Sequence, residues 1–203
     1  MYYDTLLQAY LIGRLGEKPP HLSWLEFAQQ HEVRVHRFKQ NNLQRVQKVI
    51  GILQALWPSD LLDIGSGRGT FIWPLLDAMP HLPVTATDLD PEKVAIFQTV
   101  QKGGIDQLSG QIMDIAHPQS MRADIVTALE VLEHLVQPQI AIQNLVKMAQ
   151  RFVVFSVPSK PDNNPEHLHL FTAKQLETWF FAVGAKQVRV EYVLNHMIGV
   201  VSL

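Results

Sequence analysis

Residues 60–71 read Asp60-Leu61-Leu62-Asp63-Ile64-Gly65-Ser66-Gly67-Arg68-Gly69-Thr70-Phe71, and this stretch decides the fold. A short apolar run ends in glycines spaced G-x-G-x-G, and apolar residues at helical spacing follow: strand, tight turn, helix. Glycine in such a turn removes the Cβ that would hold a ligand off the backbone, and it permits positive φ. The helix that follows opens with N–H groups that have no partner within it. A dinucleotide-binding fingerprint, G-x-G-x-x-G, would need glycine at position 70, where the chain has Thr70. A dehydrogenase is therefore set aside.

The next element sharpens the ligand. Val84-Thr85-Ala86-Thr87-Asp88 reads as a second strand ending in a carboxylate 23 residues after Gly65. There a carboxylate can accept hydrogen bonds from both ribose hydroxyls of an adenosine. Asp90-Pro91-Glu92 begins the following helix, with Asp90 as cap and proline at the first position. The glycine pattern with Asp63 before it resembles the first motif of class I S-adenosylmethionine-dependent methyltransferases. The resemblance implies that Asp63, Gly65, Gly67 and Gly69 line the methionine part of the cofactor. It implies also that Asp88 holds the ribose, that Leu89 lies against the adenine, and that Asp114 and Ile115 sit by the adenine amino group. The alternative for Asp114 is an ordinary loop carboxylate.

From residue 60 onward strands and helices alternate. Strands are expected at 60–64, 83–88, 108–113, 123–129, 151–157, 186–193 and 196–203, with helices at about 69–79, 91–102, 137–149 and 172–183. In the tail, Gln187, Arg189 and Glu191 alternate with Val188, Val190 and Tyr192, which suits a sheet edge. His196-Met197-Ile198-Gly199-Val200-Val201 is almost continuously apolar and suits an interior strand. A C-terminal hairpin whose last strand is inserted inward is how class I methyltransferase sheets end. The expected fold is α/β: a doubly wound, seven-stranded sheet with an antiparallel last strand. Residues 58–203 would form the cofactor-binding domain and residues 1–57 a helical extension, either a lid over the pocket or padding for the sheet. Within it, Ser23-Trp24-Leu25-Glu26 is a capping-box pattern.

After the fourth strand comes Glu130-Val131-Leu132-Glu133-His134. It resembles the E-V-x-E-H motif of ubiquinone-pathway O-methyltransferases and of Hen1-type small-RNA 3′-terminal 2′-O-methyltransferases, where both glutamates and the histidine bind a divalent metal. One helical turn would bring the three onto one side. Two carboxylates and an imidazole make a mainly hard site for Mg²⁺ or Mn²⁺. A fourth ligand, His169, would come from His167-Leu168-His169-Leu170-Phe171, similar to an H-x-H-x-F element of the Hen1 group. Without a metal, Glu130 lies near the methyl donor and His134 is a candidate base.

Composition narrows the chemistry further. The chain has 203 residues, no cysteine and a net charge of −2. Disulfides, thiolate metal sites and cysteine nucleophiles are excluded, and no global field would recruit nucleic acid or membrane. Arg34, Arg37, Lys39, Arg45 and Lys48 form one basic stretch, read as a solvated helix face. No apolar run approaches the ~18–20 residues of a membrane span, and a basic leader is lacking, so a cytoplasmic protein is expected. The expected activity is methyl transfer to oxygen on a small molecule, with an RNA ribose hydroxyl as the second acceptor. A non-catalytic S-adenosylmethionine-binding protein is the alternative outside enzymology.

Overall fold

A computed structural model describes residues 2–35, 38, 43–117, 120–161 and 163–203. Part of the basic stretch, including Arg37 and Lys39, lies outside the described residues. Three helices come first, α1 (Tyr2–Leu15), α2 (Trp24–Gln30) and α3 (Gln44–Leu56). Then follow β1 (Leu61–Ile64), α4 (Ile72–Ala78), β2 (Val84–Asp88), α5 (Pro91–Lys102), β3 (Leu108–Ile112) and β4 (Ala123–Leu129). The chain continues through α6 (Pro138–Met148), β5 (Ala149–Pro158), α7 (Ala173–Ala182), β6 (Gln187–Val193) and β7 (His196–Ser202).

The seven strands form one sheet in the order β3-β2-β1-β4-β5-β7-β6. β1 to β5 pair in parallel, while β7 is antiparallel to both β5 and β6. The last strand is inserted inward as its continuous apolar run requires, and the alternating strand β6 takes the edge. Strand order reverses between β1 and β4, so their C-terminal ends open a crevice at the switch point. Gly65 and Glu130 follow directly on those two ends.

Both faces of the sheet are covered, and neighbouring residues feed different cores. Leu61 and Val154 pack with α1, α3, α4 and α5, whereas Leu62 and Val153 pack with α6 and α7. Residues 1–57 share the first of these cores through Leu6, Leu11, Val49 and Leu53. α1 lies against α5 at two close contacts. A Cβ on Gly13 would fall 1.9 Å from the Thr99 carbonyl oxygen, and one on Gly103 would fall 1.7 Å from that of Ala9. Caps stand where the sequence places them. Ser23 and Glu26 close a reciprocal box on α2, and Asp90 and Thr172 cap α5 and α7.

Two local expectations change. α4 begins at Ile72 rather than residue 69, because Gly69 is held at φ +85° beneath the Trp73 indole, where a Cβ would lie 2.2 Å from the ring. The E-V-L-E-H segment is not one α-helical turn. A 3₁₀ turn spans only Leu132–His134, and Glu130 precedes it at φ +58°. Among the described residues, no helix is long and apolar enough to cross a membrane.

Candidate functional site

Two chambers meet at the switch point. The larger, about 510 Å³, is lined by the glycine loop, Asp88, Leu89, Met113, Asp114, Ile115, Glu130, Val131, His134 and Leu135. The smaller, about 210 Å³, lies between the glycine loop and α3, with Arg45, Asp63, Thr70, Glu130 and Ser156 in its wall. The residues common to both are Gly65, Gly67 and Glu130. Gly67 has φ +57°, and a Cβ there would meet nothing nearer than the Gly65 carbonyl oxygen at 4.0 Å, so it would project into open space. Gly65 is glycine for a different reason: a Cβ would lie 2.6 Å from a Val131 methyl.

Asp88 pins the loop as well as facing the larger chamber. Its Oδ2 accepts from the Gly67 N–H at 2.9 Å, and Oδ1 accepts from the Asp90 N–H at 3.0 Å. Lys93 Nζ stands 3.4 Å from the same Oδ1. Leu89 beside it is 65% exposed, an apolar surface available to a flat ligand at the chamber wall. Asp114 accepts from the Ala116 N–H and faces His117 Nδ1, each at 2.9 Å. The loop that carries it is tied down by Asn144, whose side-chain amide donates to the carbonyls of Ile115 and His117.

Asp63 is buried at the end of β1 and accepts a 2.6 Å hydrogen bond from the Thr127 hydroxyl. Burial raises its carboxyl to about 7, against the pull of the Thr127 and Ser66 donors and with a further push from the Asp88 charge. A carboxyl in this position is poised to ionise when a cation arrives. Arg45, on α3, lines the same small chamber.

Beyond the larger chamber, the segment 164–170 docks on residues 133–135. The N–H groups of Leu168 and His169 donate to the Glu133 carbonyl at 2.8 and 3.3 Å. His134 Nδ1 donates to the Glu166 carbonyl at 3.0 Å, and His169 Nε2 donates to the Leu135 carbonyl at 2.9 Å. The docking brings Glu133, His134 and His167 together, with one ligand atom of each within 4.8 Å of the others. Glu130 and His169 lie outside that cluster. The Glu130 carboxylate turns instead to Ser156 and His196, and the His169 ring stacks on Phe171.

Residues 62–151 match a family described as a methyltransferase domain. The seven-stranded sheet with its inserted antiparallel strand is the Rossmann-like methyltransferase fold. Over 114 residues the chain is 29% identical to the ubiquinone biosynthesis O-methyltransferase of Vibrio atlanticus (strain LGP32), covering 55% of this chain and 47% of that protein. It thus spans about half the length of the curated relative it matches. Two solved structures share the fold. The methyltransferase domain of a bacterial Hen1 (CtHen1-CN) has a TM-score of 0.65 at 21% identity, over 81% of this chain and 100% of that one. Magnesium protoporphyrin IX methyltransferase from Synechocystis PCC 6803, with bound S-adenosylhomocysteine, has a TM-score of 0.65 at 15% identity, over 98% and 99%.

Of the residues expected at the site, Asp63, Gly65, Gly67, Asp88, Leu89, Asp114, Ile115, Glu130 and His134 all line one chamber or the other. Gly69 lines neither, since its space belongs to Trp73. The four residues expected around a metal do not converge. Glu130 is separated from the rest by its positive φ, and His167 replaces His169, whose Nε2–H is spent on Leu135. Sequence reading also passed over Thr127, Ser156, Lys93 and His196. Each is an ordinary residue on a strand or helix, and only its position beside an acidic partner marks it. Arg45, taken for solvated surface, faces the small chamber, while Lys48 on the same helix pairs with Glu191 on β6.

Proposed function

We propose that this chain is an S-adenosylmethionine-dependent methyltransferase that transfers the methyl group to an oxygen of a small molecule. The observation that carries the cofactor assignment is the pair of chambers joined at the glycine loop. The larger has the carboxylate, apolar wall and loop acceptors suited to an adenosine. The smaller is lined by one arginine and two acidic residues, a set that suits an α-amino acid: carboxylate towards Arg45, ammonium towards Asp63. Methyl transfer from a sulfonium asks mainly for alignment and exclusion of water. Placing the sulfur between the two chambers leaves the methyl facing the Glu130–His134 wall. Oxygen as acceptor is favoured by the relationship to a ubiquinone biosynthesis O-methyltransferase.

The acceptor's proton has a nearby destination. His134 donates Nδ1–H to the Glu166 carbonyl, so in its neutral form the lone pair is on Nε2. That same tautomer suits metal ligation, where the second ring nitrogen is held by a carbonyl. Glu133, His134 and His167 would hold a divalent ion. One carboxylate and two imidazoles are softer than the expected set and favour Mn²⁺ or Zn²⁺ over Mg²⁺. Such an ion supplies Lewis-acid activation of a hydroxyl when bound. This cluster also favours a second reading, an RNA ribose 2′-hydroxyl as acceptor.

The test is transfer of labelled methyl from S-adenosylmethionine into pooled small metabolites and, separately, into small RNA. Label in a phenol or alcohol fraction supports the first reading, and label in RNA the second. Tight binding of the cofactor without transfer to either would leave a binding protein.

A further inference from the structure

Glu130 is the one residue common to both chambers that brings a side chain to their junction, because its companions there are glycines. Its placement is over-determined. A φ of +58° is costly for a residue with a Cβ and persists only where the surroundings enforce it. The backbone N–H donates to the Ser156 carbonyl at 2.9 Å. Oε1 accepts from the Ser156 hydroxyl at 2.6 Å, and Oε2 accepts from His196 Nε2 at 3.0 Å. Ser156 is buried in β5. His196 opens β7 opposite Pro158, a position that exists because the last strand is inserted beside β5.

We propose that Ser156 and His196 are positioning residues that fix the Glu130 carboxylate at the chamber junction, so that a sulfonium is bound in preference to a neutral thioether. The inference rests on the cofactor reading above and deepens it. With the adenosine in one chamber and the amino acid in the other, the sulfur must lie where the chambers meet. S-adenosylmethionine carries a positive charge on that atom, and S-adenosylhomocysteine carries none. A fixed carboxylate in a partly desolvated site attracts the first and is indifferent to the second. Transfer of the methyl leaves both electrons of the broken S–C bond on sulfur and cancels the charge. The same carboxylate then ceases to hold the product. Asp63 lines the smaller chamber, where burial raises it to about 7, and Asp88, Asp114 and Glu166 line the larger, but of these acidic residues only Glu130 lines both. Arg45 also lines that smaller chamber, and His134 and Lys93 line the larger one. None of the three hydrogen-bonds Glu130.

The experiment is calorimetric titration of each protein with S-adenosylmethionine and S-adenosylhomocysteine separately, read as the ratio of the two dissociation constants. Glu130→Gln should shift that ratio about tenfold against the sulfonium, mostly by weakening S-adenosylmethionine. His196→Phe and Ser156→Ala should each reproduce part of the shift. His196→Gln, which keeps a donor, should restore the ratio. A purely structural role would weaken both ligands together and leave the ratio unmoved. An unchanged ratio in Glu130→Gln overturns the selector. A shift in Glu130→Gln with none in either His196→Phe or Ser156→Ala overturns the positioning role. If the unmodified protein binds neither ligand, the cofactor reading itself is overturned.

Discussion

If an ammonium group seats against Asp63, binding of S-adenosylhomocysteine must expel the proton that burial holds on that carboxyl. The group titrates at about 7 in the unliganded protein, largely because burial penalises its charged form. Only the ionised form can pair with the ligand, so affinity should fall as pH drops below 7. Between pH 7 and pH 5 the loss should be about 50-fold if the bound carboxylate titrates below pH 4, and roughly three-quarters of a proton should be released per ligand at pH 6.5. Calorimetry in two buffers of different ionisation enthalpy measures the proton directly. Two controls isolate the cause: Asp63→Asn should bind with little pH dependence, and 5′-methylthioadenosine, which lacks the amino acid, should bind the natural protein likewise. Stability gives an independent readout with the opposite sign. A carboxyl raised above its unfolded value stabilises the fold at low pH and loses that contribution as pH rises from about 4 through 7. The swing is of the order of 4 kcal/mol and should be absent in Asp63→Asn. Affinity that is flat from pH 5 to 7 in the natural protein would refute the pairing of Asp63 with the ammonium.

At the loop, Gly67→Val should nearly abolish S-adenosylhomocysteine binding while the domain stays folded, since the side chain would project into the shared space; unchanged affinity would exclude the loop as a binding site. Asp88→Ala should cost about 2–4 kcal/mol of cofactor binding, because a charged acceptor and the Gly67 staple go together. Asp90→Ala should instead lower stability by about 1 kcal/mol through the lost helix cap, read by denaturant titration. If methyl transfer depends on a metal at Glu133, His134 and His167, EDTA should stop turnover and spare cofactor binding, and His167→Gln should impair activity more than His169→Gln; full activity in excess EDTA would remove the metal. At the other end of the sheet, Arg151 holds the Asp124 carboxyl below the usual range through two short hydrogen bonds. Its contribution is present above pH 4 and lost as pH falls through the lowered value, so Arg151→Met should raise the midpoint of acid unfolding.

The order of strands and helices, the inward last strand and the acidic residues that line the larger chamber were legible in the chain, because they follow from local signals. Glycine spacing reports where backbone must turn or be approached. Alternating against continuous hydrophobicity reports one covered face or two, which placed β6 at the edge and β7 inside. Carboxylates at strand ends report the crevice, and short-range caps such as Ser23 with Glu26 need no tertiary context. Other features turned on contacts between segments far apart in sequence. Which histidine joins Glu133 was decided by four hydrogen bonds that dock residues 164–170 on 133–135, not by the H-x-H spacing. Gly69 turns beneath the Trp73 ring, a contact that the glycine spacing alone does not report. Glu130 leaves its neighbours because Ser156 and His196, on strands made adjacent by the sheet, take its carboxylate. Asp63 acquires its raised titration from burial, which no local pattern encodes. Side-chain chemistry is written in the sequence; which groups meet, and in what dielectric, is set by how the sheet brings its strand ends together.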